Sequence, residues 1–155
     1  EAAHWFGVKA LRDVSVEEFE RKTRAESTLG EITLKRARHV ITENARVLEA
    51  VNVMKSGDIN KLGELFNASH DSLRDDFEVT NEALNTMVNC AREQESCHGA
   101  RMTGAGFGGC AVALVDKKDA QEFTKAVAVT YKERSGLEAS LYVCQASAGA
   151  SLVER

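Results

Sequence analysis

Gly99-Ala100-Arg101-Met102-Thr103-Gly104-Ala105-Gly106-Phe107-Gly108-Gly109-Cys110 is the stretch on which the reading of the fold turns, and the apolar run Ala111-Val112-Ala113-Leu114-Val115 follows it directly. Four of the chain's 11 glycines fall between positions 104 and 109. Repeated glycines admit positive φ and carry no Cβ, so successive backbone amides can turn inward and approach an anion, of which a phosphate is the usual example. Gly104, Gly106 and Gly109 satisfy G-x-G-x-x-G, but a dinucleotide-binding loop opens a helix, and here a strand-like run follows. A Walker loop needs Lys and then Ser or Thr after its last glycine, where Cys110-Ala111 stands. A protein-kinase glycine loop does join two strands, yet the chain has no H-R-D or D-F-G partner for it. Spacing alone leaves two readings, a phosphate cradle or a tight glycine-rich hairpin packed against a helix.

Outward from the loop, His98 to Thr103 and Cys110 to Val115 read as two strands. A helical pattern through Phe123, Val127 and Tyr131 and a β-rich run from Ala139 to Ala146 complete a strand-helix-strand unit. The first two thirds read as helical. Ser15-Val16-Glu17-Glu18 fits a capping box, with the Ser hydroxyl taking the third amide and the Glu reaching back. From Glu31 to Ser56, Ala37, Val40, Ile41, Val47, Leu48, Val51 and Met54 keep the spacing of one buried stripe that stops at Gly57. Asp58 can cap a helix carrying Ile59, Leu62, Leu65, Phe66, Leu73 and Phe77, and Thr80 or Asn81 one carrying Leu84, Met87 and Val88. Helices followed by a small sheet give an α+β class.

The bulk properties bound the function. At 155 residues the chain is long enough for one domain with a sizeable core, and 43% apolar with 28% charged residues is globular composition. A net charge of -4 offers no basic footprint for nucleic acid, and no apolar run approaches the roughly 20 residues of a membrane span. Cys90, Cys97, Cys110 and Cys144 form no C-x-x-C pair, and His4, His39, His70 and His98 stand apart, so reduced cytosolic thiols are expected and no metal site is assigned. Ser69-His70-Asp71 suggests a nucleophilic triad only superficially, since adjacent helical residues diverge; packing or hydrogen bonding between elements is the expectation. Arg74 is expected to pair with Asp71 or Glu78, and Trp5 and Phe6 to form an exposed apolar patch. Proline is absent where usage of about 5% would give roughly eight, and the chain opens on Glu1, which suggests a piece of something longer.

The glycine stretch as a whole resembles the third conserved motif of the GHMP kinases in its galactokinase form. Lys35-Arg36-Ala37-Arg38-His39-Val40-Ile41-Thr42-Glu43-Asn44, Ser69-His70-Asp71-Ser72-Leu73-Arg74-Asp75-Asp76-Phe77-Glu78-Val79 and Tyr142-Val143-Cys144-Gln145-Ala146 resemble galactokinase segments in the same order. The resemblance runs from about Ala10 onward. It implies one GHMP kinase C-terminal domain over 1–155, with a ferredoxin-like small antiparallel sheet packed on helices. It also implies ATP-dependent, Mg²⁺-requiring phosphorylation of galactose at its anomeric hydroxyl in a cytoplasmic enzyme. In that family the N-terminal half supplies the galactose site, the catalytic Asp with its Arg, and the loop around the ATP phosphates. This chain is therefore expected to carry no catalytic residue and to be inactive alone. Gly104, Ala105, Gly106 and Phe107 are the implied nucleotide-binding residues, and the N-terminal half is the implied partner.

The chain departs from the family pattern at three places. Phe77 replaces a Tyr, Asn81-Glu82-Ala83-Leu84-Asn85 replaces a segment with Cys-Pro and an Asp, and Ser96-Cys97-His98 replaces a Pro-Gly turn. An N-acetylgalactosamine kinase, a galactokinase-like sensor without catalysis, and a freestanding interaction module remain open beside the galactokinase reading. Gly106→Val is expected to harm activity more than stability, its branched Cβ entering the cleft.

Overall fold

The computed structural model describes residues 1–25, 28–147, 149 and 151–152. Six α-helices, one short 3₁₀ turn and two strands follow in the order α1 (Ala2–Phe6), the 3₁₀ turn (Leu11–Asp13), α2 (Val16–Ala25), α3 (Glu31–Ser56), α4 (Ile59–Asp75), α5 (Glu82–Arg92), β1 (Cys97–Thr103), β2 (Cys110–Val115) and α6 (Ala120–Ser135). The α+β class holds. Local chemistry sets the boundaries: the Ser15 hydroxyl accepts from the Glu18 amide, Asp58 Oδ1 from Lys61 and Asn81 Oδ1 from Leu84. Each satisfies one of the amides a helix start leaves unpaired. Gly57 ends α3 in the left-handed conformation at φ 77, as the capping glycine of a helix does.

Three clusters form the core. Ala2, Phe6, Val14, Phe19, Leu29, Ala37 and Ile41 join α1, α2 and the first half of α3. Phe6 is 6% exposed, and Trp5 packs edge-on against it while donating to Thr28 Oγ1 at 3.0 Å. The expected exposed Trp-Phe patch is thus part of the core, because Lys22 and Phe19 of α2 cover it. Val88, Cys90, Ala91, Ala100, Phe123, Val127 and Tyr131 hold α5 and α6 to the sheet, and Leu73, Leu84 and Met102 fill the space where α4, α5 and β1 converge below the glycine loop.

Two expectations from spacing are corrected. The stripe on α3 is buried at Ala37 and Ile41, but Val47, Leu48 and Met54 are more than half exposed and Val40 and Val51 are also open to solvent. Helical periodicity reports a face, and no described element covers positions 47, 48, 51 and 54, while α4 packs on the neighbouring face where Val53 is buried. The Ala139–Ala146 run forms no strand, and Tyr142 is 81% exposed. β-propensity expresses fit to a paired, half-buried surface, and this run has no paired neighbour among the described residues.

The sheet is an antiparallel hairpin with Gly99 opposite Leu114 and Thr103 opposite Cys110. Its β1 edge is closed by side chains. Asn67 Oδ1 accepts from the Ala100 amide at 3.0 Å, His70 Nδ1 from the Met102 amide at 3.2 Å, and Arg92 donates to the Ala100 carbonyl. The far edge of β2 pairs with no strand among the described residues.

Candidate phosphate-binding loop

The hairpin holds the glycine loop, 104–109, at one end. Gly104, Gly106, Gly108 and Gly109 have φ of 84, 83, 110 and 143, and Phe107 has φ 57. A non-glycine residue in the left-handed region costs about 1 to 2 kcal/mol, so surrounding contacts must hold Phe107 there. One is plain: its amide donates to the Val79 carbonyl at 2.7 Å. The Phe107 ring meanwhile stands 71% exposed. The amides of Ala105, Gly106 and Gly108 donate to no acceptor among the described residues. They are among the free donors of the loop, suited to an anion. Of the four residues picked out in the sequence, Gly104, Ala105 and Gly106 stay together on the open loop, while Phe107 has spent its amide internally.

The loop rests on the connector between α4 and α5. A Cβ built on Gly106 would lie 2.4 Å from the Val79 carbonyl oxygen, and one on Gly108 would lie 3.2 Å from Asn81 Nδ2. The expectation that a Gly106 side chain would enter the cleft is thereby corrected: it meets the protein's own backbone.

Below the loop a polar layer joins the helices to the sheet. Ser69, His70 and Asp71 diverge as adjacent helical residues must, Ser69 donating to Glu43 of α3, His70 accepting from β1, and Asp71 pairing with Arg92 of α5 at 2.9 Å. They form no triad. Arg74 pairs with Asp75 and Asp71, and Glu78 is taken by α3 instead. Burial alone would raise the Glu43 pKa, but hydrogen bonds from Ser69 and Arg46 outweigh it and hold the carboxyl below its ordinary value. His70 is fully buried, and burial together with the Arg92 charge lowers its pKa from 6.5 to about 4. Since Nδ1 accepts from Met102, the neutral ring carries its proton on Nε2, next to the buried Asn85 Oδ1.

This predicts a pH dependence. The unfolded chain binds a proton at His70 near pH 6.5 and the folded chain only near 4, so the unfolded state gains protons first as pH falls. Stability is full above pH 6.5 and declines toward pH 4, by about 2 to 3 kcal/mol for this residue. His39, also depressed by burial, acts in the same direction. Urea midpoints against pH should fall through this window, and His70→Gln, which keeps an acceptor for the Met102 amide, should flatten the slope.

Among the described residues no three His, Cys, Asp or Glu side chains gather to hold a metal ion, and all four cysteines are free thiols. No helix among them is long and apolar enough to cross a membrane.

Comparison with known proteins places this geometry. The model of the GHMP kinases C-terminal family matches residues 47–133. The chain is 49% identical to a galactokinase of Mannheimia succiniciproducens over 152 residues, covering 97% of this chain and 40% of that protein. It is 48% identical to one from Haemophilus influenzae over 154 residues, covering 99% and 40%. In three dimensions it matches the structure of Lactococcus lactis galactokinase complexed with galactose, with a TM-score of 0.83 and 46% identity over 89% of this chain and 35% of that one. The chain thus spans about two fifths of the length of the curated relatives it matches. A family match over more than half of the chain, with a solved relative matching its fold over 89% of its length, leads to one conclusion: the chain belongs to the GHMP kinase family and carries its C-terminal domain.

Proposed function

We propose that this chain, as a single domain over 1–155, serves a longer galactokinase that phosphorylates galactose to galactose 1-phosphate with ATP. The observation that carries this reading is the joint likeness in sequence and fold to galactokinases over 89% of the chain. The free amides of Ala105 and Gly106, with the backbone of Gly104, would bind and orient a phosphate of ATP, and Phe107 contributes loop shape rather than a donor. ATP, when bound, supplies the phosphoryl group. Such transfer depends on positioning and charge stabilisation, and this domain offers backbone donors for the first.

The N-terminal half of the longer protein is the proposed partner, in a cytoplasmic setting that suits four free thiols. Two surfaces support it: the apolar ridge of Val47, Leu48, Val51 and Met54 on α3, and the edge of β2 that pairs with no strand among the described residues. An apolar ridge and an open strand edge are the features that association covers. The isolated chain, mixed with ATP, Mg²⁺ and galactose, should yield no galactose 1-phosphate. Steady formation of that product by chain purified free of host kinase would overturn the division of labour.

A further inference from the structure

Only two non-glycine residues among those described adopt positive φ: Glu78 at 58 and Phe107 at 57. They belong to different segments, yet a single hydrogen bond links them, from the Phe107 amide to the carbonyl of Val79, the residue after Glu78. Two unfavourable backbone geometries persist together only where surrounding contacts over-determine both. For Glu78 those contacts come from α3. Its carboxylate receives Arg36 Nη2 at 2.6 Å and Lys35 Nζ at 3.4 Å, while Arg36 also donates to the Asp76 carbonyl and Arg38 pairs with Asp76 at 2.9 Å. The Val79 amide is tied to Leu73 at 3.1 Å, so the connector is fixed from both sides. The Gly106 backbone faces the Val79 oxygen so closely that a built Cβ would clash with it, which seats the loop on this platform.

We infer that Glu78, gripped by Arg36 and Lys35, is a positioning residue that sets the Val79 carbonyl and through it the glycine loop. Its action on the loop runs through the Val79 carbonyl. It determines where the free amides of Ala105, Gly106 and Gly108 point, and this deepens, and rests on, the proposal that those amides meet a phosphate.

The test has two arms. In the first, amide hydrogen exchange of Phe107, the loop amide bonded to Val79, is followed in the 155-residue chain without nucleotide. Glu78→Gln and Arg36→Gln should each speed it about fivefold, with the double variant well short of the product of the two, since they share the Arg36–Glu78 pair. Unchanged exchange, or effects that add, would overturn the inference. In the second, the same Glu78→Gln substitution in the longer galactokinase should raise the KM for ATP while leaving the KM for galactose unchanged. Faster exchange with an unaltered KM for ATP would leave the coupling standing and sink the phosphate reading of the loop. A parallel rise of both KM values would overturn Glu78's positioning role at the nucleotide and leave it a general structural residue.

Discussion

Gly63→Ala should destabilise this domain by more than about 3 kcal/mol, against the usual preference of a helix interior for alanine, which favours it by about 1 kcal/mol. Gly63 lies inside α4 and Gly99 in β1. A Cβ on Gly63 would fall 2.0 Å from the His98 carbonyl oxygen, and one on Gly99 would fall 2.1 Å from the Gly63 oxygen. Both obstacles are backbone, so relief requires the helix and the strand to part. Parting them lengthens the bonds from the Ala100 and Met102 amides to Asn67 and His70, which close the outer edge of the sheet. Their loss leaves buried polar groups unsatisfied, at about 1 to 3 kcal/mol each. Urea unfolding measures the total, and hydrogen exchange at Ala100 and Met102 locates it. Gly57→Ala is the control. That glycine has φ 77 but nothing within 4 Å of a built Cβ, so only the left-handed backbone cost of about 1 to 2 kcal/mol applies. A loss at Gly63 no larger than at Gly57 would mean that helix and strand do not touch there.

The glycine pair shows which parts of the fold could be read beforehand. Signals confined to a few consecutive residues were legible: the caps at Ser15, Asp58 and Asn81, the stop at Gly57, and the two strands flanking the loop. Each depends on a local hydrogen bond or backbone angle. Signals that need a neighbour were not. The apolar positions 47, 48, 51 and 54 of α3 have the period of a buried stripe, but burial depends on an element to cover them. The Ala139–Ala146 run has strand-forming residues, but a strand is defined by its pair. Gly63 and Gly99 reveal their close approach only once α4 lies on β1.

The site divides in the same way. Gly104 and Gly106 stood out because clustered glycines advertise unusual backbone angles, and Phe107 stood out with them through its place in the motif. That the Phe107 amide is occupied by Val79, and that Glu78 beneath it is left-handed and tied to α3, depends on segments 28 or more residues apart in sequence. The same run that carries Ser69, His70 and Asp71 ends at this platform, so its packing role and its service to the loop are one structural fact.

Gly106→Val should lower both stability and phosphate binding, with the stability loss visible in the chain alone. The position has φ 83, which any L side chain resists, and its Cβ would sit 2.4 Å from the Val79 oxygen and 3.3 Å from Met102 Cε. Backbone cost and clash together predict a loss of about 2 to 4 kcal/mol, well above the backbone cost alone. Gly104→Ala separates the two contributions. Its φ of 84 is nearly the same, but no atom lies within 4 Å of the built Cβ, so it should lose only the backbone share. The ordering Gly106→Val worse than Gly104→Ala in melting temperature, measured without nucleotide, tests the seat on Val79 independently of any activity. Equal losses would remove the clash from the account and return Gly106 to the open cleft. Since Met102 reaches both the Gly106 position and the Leu73 and Leu84 cluster, a displaced loop also disturbs the core beneath it. Loss of nucleotide binding in the longer protein should therefore accompany the fall in melting temperature for Gly106→Val, and a variant that lost binding at full stability would contradict this geometry.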